Sequence, residues 1–177
     1  MEELFRTKTE VRLKSKETLV AYGRFDDNVY VMKSGIIRYC YFDGIRERTF
    51  GFAMPGSVMI QYHCHFMRKP SFFQPEACGE TVVMKIARRD FDALIARSHE
   101  FSNWMLTLSS GQLYTNEAKL SLINGMAKER FVALIRNRPE IMACVPQKVI
   151  ASYLGITPTY LSRLRKEFFR KKQTGRD

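Results

Sequence analysis

The side chains best placed to do chemistry in this 177-residue chain lie close together in Gln147–Lys166, QKVIASYLGITPTYLSRLRK. Arg163 offers a planar two-pronged donor that matches the acceptor edge of a guanine, worth about 1–3 kcal/mol of discrimination against other bases. The same fork also suits a phosphate, where most protein–DNA hydrogen bonds go. Thr159, Tyr160, Ser162 and Lys166 fall on or near the same exposed face of a helix. Gln147 and Lys148, opening a preceding helix, can donate to a phosphate there. Arg165, Lys166, Arg170, Lys171 and Lys172 are suited to neutralising backbone charge. Tyr153 is open to two roles at once, its ring packing while its hydroxyl reaches a phosphate. The chemistry implied is recognition of a polyanion, with no bond broken.

Such side chains need a scaffold that presents a short helix, and the residues between them supply one. Ala151 falls where two helices would cross, and only a small side chain allows that approach. Gly155 falls where the chain must leave the first helix in a left-handed conformation, which glycine adopts without steric cost. Thr157 then caps the second helix, and Pro158 takes its first position, where a missing N–H is no loss. Ile150, Leu154, Ile156, Leu161 and Leu164 provide the apolar contacts of a small shared core. The spacing predicts a helix-turn-helix whose second helix enters the major groove of duplex DNA.

Charge points the same way. The chain holds 29 lysines and arginines against 18 acidic residues, a formal charge of +11. Residues 1–123 contribute 17 basic and 14 acidic groups, whereas residues 124–177 contribute 12 and 4. The excess is C-terminal, and phosphate backbones are the commonest polyanionic partner. Stacked-aromatic motifs are missing from this basic third, which favours duplex DNA over RNA. Hydrophobic residues at 45% and charged residues at 27% are the balance of a folded soluble protein. No apolar run reaches the roughly 18–20 residues that span a bilayer, and Met1–Glu10 lacks the apolar core of a signal peptide. A cytoplasmic location without membrane contact is expected.

Ahead of the basic third, Phe101, Trp104, Leu108, Gly111, Thr115, Ala118 and Leu122 recur at steps of three and four, the seam of a helix paired with another helix. Its small middle members permit close approach, and symmetric dimers are the commonest oligomers, so a homodimer interface is expected here. The competing arrangement lays this helix on its own domain through Met105, Leu113 and Leu120. Short helices are predicted over Asp90–Arg97 and, after a break at Asn124-Gly125, over Ala127–Asn137, ending before Pro139. From Val11 to about Arg88 the pattern is β. Runs at Tyr30–Met32, Ile36–Phe42, Arg46–Phe52 and Thr81–Ala87 are separated by Lys33-Ser34-Gly35, Asp43-Gly44, Pro55-Gly56 and Cys78-Gly79. Asp43-Gly44 predicts a type I′ hairpin with positive φ at both residues. Short strands this closely spaced predict a small roll, sandwich or barrel.

A catalytic alternative rests on His63 and His65, which flank Cys64. Alternating histidines on a strand can aim two imidazoles at one metal, as in a metal-dependent, cupin-like β-barrel, with Cys78, Glu76 or Glu80 as a third ligand. Cys40, Cys64, Cys78 and Cys144 include no C-x-x-C pair, so reduced, mostly buried thiols are expected.

The order of β-roll, seam helix and helix-turn-helix resembles the cyclic-AMP receptor protein/FNR (Crp/Fnr) family of bacterial transcription regulators, over nearly the whole chain. VYVMKSGIIRYCYFDGIRERTFGFAMPGSVM carries the likeness in the first half. VPQKVIASYLGITPTYLSRLRKEF carries it in the last third and is very similar to members from Bacteroides-like bacteria. The resemblance implies a homodimer on a two-fold-related duplex site, RNA polymerase as a further partner, and Arg163 as the base-reading arginine. Pro158 stands where other members carry a DNA-contacting arginine, so their operator sequence is not implied. Nucleotide-binding members carry Phe-Gly-Glu and then Arg-Ser/Thr-Ala, which hold the ribose and the cyclic phosphate. Here no Gly-Glu follows Gly56 at the matching place, and Phe73-Gln74-Pro75-Glu76-Ala77 fills the second position. Arg68 and Lys69 read as solvated loop residues.

The resulting expectation is an α+β, non-enzymatic transcription regulator. It has a β-roll or jelly-roll sensor at 1–99 with a degenerate nucleotide pocket, a dimerisation helix at 100–123 and a helix-turn-helix domain at 124–177. Its expected DNA-contacting set is Gln147, Lys148, Thr157, Thr159, Tyr160, Ser162, Arg163 and Lys166. No cofactor is expected, and the effector is a ligand other than cyclic AMP, or none.

Overall fold

The structure, a computed structural model, describes residues 9–123 and 126–173; the side chains of residues 116, 118–123 and 171–173 fall outside that description. Two antiparallel sheets face each other. The first runs in the order β1 (Thr9–Leu13), β7 (Thr81–Ile86), β2 (Val29–Ser34), β5 (Val58–Ile60). The second runs β4 (Glu47–Ala53), β3 (Ile37–Phe42), β6 (Gln74–Ala77). Period-two alternation decides which side chains meet. Ile37, Ala53 and Ala77 of the second sheet pack on Leu13, Tyr30, Met32, Met59 and Val83, with Tyr39 beside them. Ile36, Arg38 and Cys40 point the opposite way, and they too are buried. β3 is thus buried on both sides over Ile37–Cys40, whereas Tyr41 and Phe42 at its end are exposed.

Two turns show how local chemistry sets the roll. Gly35 has φ 84°, and a Cβ there would lie 2.5 Å from the Glu80 carbonyl oxygen, so the β2–β3 turn is pressed against the chain entering β7. The Asp43-Gly44 hairpin departs from the expected two-residue turn. β3 and β4 last pair at Phe42 and Glu47, leaving a four-residue loop in which only Gly44 of the pair has positive φ. Asp43 Oδ1 accepts from the amides of Ile45 at 3.0 Å and Arg46 at 2.8 Å. That carboxylate-to-amide turn satisfies the loop and displaces the mirror-image geometry.

Helices follow. A single turn, α1 (Tyr62–His65), is inserted between β5 and β6, then come α2 (Arg88–Arg97) and α3 (His99–Ile123). With 25 residues, α3 is about 37 Å long. Its start belongs to the roll: Phe91, Leu94 and Phe101 pack on Val29 and Ile86, flanked by Trp104 and Met105. The chain then forms α4 (Ala127–Asn137), α5 (Pro139–Cys144), α6 (Gln147–Leu154) and α7 (Pro158–Gln173). Pro139 ends the expected helix as predicted, but it also opens α5, because proline is well suited to a first helical position. These last helices bury Phe131, Leu134, Ile141, Val145, Ile150, Ala151, Leu154, Leu161 and Leu164 around Ile36 of the roll. The architecture is the α+β roll-plus-helices arrangement read from the sequence. Among the described residues, no helix is long and apolar enough to cross a membrane.

Candidate nucleic-acid interface

The turn between α6 and α7 closes as the residue types demand. Gly155 adopts φ 68°, ψ 28°, the left-handed conformation. The Ile156 amide donates to the Ala151 carbonyl at 3.0 Å and the Gly155 amide to the Ser152 carbonyl at 3.2 Å, so the last carbonyls of α6 are satisfied. Thr157 Oγ1 accepts from the Tyr160 amide at 3.2 Å, capping α7. Ala151 is buried at the crossing, with Leu161 and Leu164 sealing the underside of α7. With those two residues turned inward, the opposite face of α7 is fixed toward solvent.

That solvent face carries Thr159, Arg163 and Lys166, all exposed, with Tyr160 and Ser162 half-buried at its edge. The Arg163 guanidinium lies over the Tyr160 ring, 4.8 Å from its centroid. Gln147 and Lys148 are exposed at the start of α6, and Thr157 is exposed at the start of α7. The eight residues expected to contact DNA are thereby gathered onto two adjoining helices. Tyr153 is turned elsewhere: its ring meets Phe52 of β4 at 5.0 Å, edge to face. Burial pushes its hydroxyl pKa up, against a smaller opposing effect of Arg138.

Several side chains that hold this unit in place were not singled out from the sequence. Arg130 Nη2 of α4 donates to the Leu154 carbonyl at 3.1 Å, tying α4 to the end of α6. Lys128 pairs with Glu167 at 2.8 Å, joining α4 to α7. Ser152 docks α6 on β4: its Oγ accepts from the Thr49 amide at 3.0 Å and donates to the Glu47 carbonyl at 3.4 Å. In the sequence Ser152 is marked only by falling outside the Ile150–Ala151–Leu154 core stripe. Beneath this contact, Arg38 is buried between Glu47 and Glu76. Burial works against its charge, but Cys40, Glu76 and Glu47 together hold its pKa above the usual value.

Along α3 the expected seam divides. Phe101 is buried against its own roll and Trp104 is half-buried on the same cluster. Leu108 and Gly111 are exposed and Thr115 is half-buried, its hydroxyl donating to the Gly111 carbonyl at 2.8 Å. A Cβ on Gly111 would meet nothing within 4 Å. Leu106, Leu113 and Tyr114 are also exposed, at 67%, 65% and 73%. The competing stripe is therefore interrupted, since only Met105 of its described members packs on the roll. Ala118, Leu120 and Leu122 lie outside the described side chains, as does the Asn124-Gly125 break.

Aromatic rings cluster on β3, β4 and the approach to β6: Tyr39 contacts Phe50 at 5.8 Å and Phe73 at 5.6 Å, and Phe50, itself exposed, meets Phe73 at 5.4 Å. His63 and His65 sit in the helical turn α1, not on a strand. His65 is fully buried, with Nδ1 2.8 Å from the Asp27 carbonyl oxygen and Nε2 3.1 Å from Asp92 Oδ1. His63 Nδ1 lies 2.7 Å from the Pro70 carbonyl oxygen. With both nitrogens of His65 committed, the pair is not arranged to share one ion. Among the described residues, Cys40, Glu47 and Glu76 form a possible ligand group, but Arg38 already bridges the two carboxylates.

The chain thus combines a two-sheet roll, a long helix and a helix-turn-helix in that order. The sequence profile of the cyclic nucleotide-binding domain matches residues 10–98, half of the chain, and the chain belongs to that family. The fold is similar to FixK2 from Bradyrhizobium japonicum, with 20% identity over 94% of this chain and 86% of that one and a TM-score of 0.79. It is similar to the c-di-GMP responsive global regulator CLP of Xanthomonas campestris, at 15% identity over 97% and 91% of the two chains, TM-score 0.73. A third likeness is to a protein from Eubacterium rectale assigned to the Crp/Fnr family of transcriptional regulators, at 14% identity over 96% and 82%, TM-score 0.72. No curated protein matches the sequence.

Proposed function

We propose that this chain is a homodimeric, sequence-specific, DNA-binding transcription regulator of the Crp/Fnr type, related to the Bacteroides-like branch and independent of cyclic AMP. The observation that carries the reading is the left-handed turn at Gly155, after which α7 offers Arg163 and Lys166 to solvent while Leu161 and Leu164 anchor its other side. An exposed cationic helix on a packed support is the geometry that major-groove readers use. Its organisation is taken as a sensor at 1–99, a dimerisation helix at 100–123 and a DNA-binding unit at 124–177, acting in the cytoplasm and contacting RNA polymerase at promoters. The exposed Leu106, Leu108, Leu113 and Tyr114 on α3 support pairing with a second copy, because apolar residues clustered on one helix favour burial. A degenerate nucleotide pocket is supported by the sequence, in which no Gly-Glu follows Gly56 and Phe73-Gln74-Pro75-Glu76-Ala77 fills the second motif position.

Selection of bound duplexes from a random pool tests the reading. The expected product is a two-fold-symmetric motif with half-sites about one helical turn apart, roughly 34 Å. Enrichment of an asymmetric motif, or of none, sinks it. Arg163→Ala should weaken the selected site about 5- to 150-fold, the equivalent of about 1–3 kcal/mol, while binding to unrelated duplex changes much less. Equal loss on both demotes Arg163 to a phosphate contact.

A further inference from the structure

His65 is only 1% exposed, yet both its ring nitrogens face oxygen acceptors. Nδ1 meets a backbone carbonyl, which only accepts, and Nε2 meets the Asp92 carboxylate, which accepts when ionised. A neutral imidazole has one N–H, so in either tautomer one nitrogen would present a lone pair to an oxygen. With Asp92 ionised, the hydrogen bonding is complete only when the ring carries two protons. The charged groups that face this ring are Asp92 and Arg88 from α2, Asp27 from the loop before β2, and Arg68 after α1. Arg88 holds Asp92 at 2.9 Å and lies 3.6 Å from Asp27, which also pairs with Arg68. Burial opposes ionisation of Asp27, but Arg68 outweighs it and keeps that carboxyl below its usual pKa.

The ring also begins a packed line into α3. His65 stands edge to face on Phe91 at 5.7 Å, Phe91 on Phe101 at 5.6 Å, and Phe101 lies 5.3 Å from Trp104. α1 is inserted in the roll, whereas α2 leads directly into α3, so the His65–Asp92 contact joins the roll's insertion to the helix that leaves it.

We propose that His65 is a proton-dependent clasp between α1 and α2: doubly protonated it locks the start of α3 to the roll, and loss of one proton releases it. A single proton changes the locked-to-released ratio by at most about tenfold per pH unit, with locking favoured at lower pH while Asp27 and Asp92 stay ionised. The inference stands apart from DNA binding, and its test needs no duplex.

The test follows the ring nitrogens of His65 by NMR in the full chain between pH 5.5 and 8.5, alongside fluorescence of Trp104, the single tryptophan. The expected result is a doubly protonated ring at the acid end and a change in Trp104 emission that tracks loss of the second proton. Asp92 is half-exposed, so Asp92→Asn is a mild variant, and its amide can donate to Nε2 of a neutral ring. That variant should keep α2 docked throughout, with a flat Trp104 profile. A wild-type ring that holds one protonation state across the range overturns the clasp, as does an Asp92→Asn profile equal to the wild type.

Discussion

Replacing Gly155 by alanine probes the turn that sets α7 on α6, and Gly35 supplies an internal control. Both have positive φ, at 68° and 84°. At Gly155 the added methyl would meet only Arg130 Nη2, at 4.0 Å, which is ordinary contact. The cost is then the backbone's alone, roughly 1–2 kcal/mol for a left-handed L-residue. About 0.4–1 kcal/mol of that is offset by the stiffer unfolded chain. A net loss near 1 kcal/mol lowers the melting temperature of a chain this size by about 2–4 °C. At Gly35 the methyl would stand 2.5 Å from the Glu80 carbonyl oxygen and 2.7 Å from Thr81 Cα, both backbone atoms. The turn would have to move away from β7, adding about 1–3 kcal/mol of overpacking to the same backbone cost. Urea and thermal unfolding of the two variants should therefore separate clearly, Gly35→Ala being the more damaged. Folded Gly155→Ala should keep its duplex affinity within about threefold. Equal damage at both sites, or a stabilised Gly155→Ala, refutes the geometry assigned to the α6–α7 turn.

Changing Arg170, Lys171 and Lys172 together to alanine should flatten the plot of log affinity against log salt by up to about 2.7, at roughly 0.9 per lost phosphate contact. An unchanged slope, measured by titration at several salt concentrations, means the end of α7 does not touch the duplex. Burial pushes the thiols of Cys40 and Cys78 up to about 11, with Arg38 opposing, while Cys144 is exposed. Thiolate is the reactive form, so alkylation at pH 8 followed by mass spectrometry should mark Cys144 first. Labelling of the other two should accelerate about tenfold per pH unit, and equal rates at pH 8 would contradict their burial. Ser152→Ala leaves the Thr49 amide without its side-chain acceptor and should cost about 1–3 kcal/mol in urea unfolding; no loss means the α6–β4 contact contributes nothing.

The parts legible in the sequence are those in which local chemistry decides the backbone. Gly155, Thr157 and Pro158 each specify one conformation, and the helix-turn-helix emerges at the residues where they stand. Ala127–Asn137 reads correctly because Phe131 and Leu134 recur at helical spacing within polar flanks. Features governed by distant contacts were not legible. α1 has only four residues, too few to show a period, so His63 and His65 read as strand residues until Asp27 and Asp92 fixed the second ring. The Asp43-Gly44 hairpin misled because a side-chain acceptor within the loop overrode the dipeptide's usual turn. The seam on α3 mixes two uses at one spacing: Phe101 and Trp104 serve the roll, whereas Leu108 is left to solvent.

The same limit explains why the contact between the roll and α6 is invisible in any motif: it depends on the two faces of one strand. Along β4, Phe50 joins Tyr39 and Phe73 on the inner side, while Thr49 and Glu47 hold Ser152 of α6 on the outer side. Phe50 sits where the register with β3 shifts, between the Tyr39–Gly51 and Cys40–Thr49 pairs. A bulge bends the strand that carries it, which lets the Phe50 ring and the Thr49 amide serve opposite sides from adjacent residues. Arg38 adds stiffness from beneath, because its buried guanidinium must keep both Glu47 and Glu76 to offset its own desolvation. Phe50 and the Ser152 contact therefore meet β4 at neighbouring residues on its two sides, an arrangement that no local sequence pattern encodes.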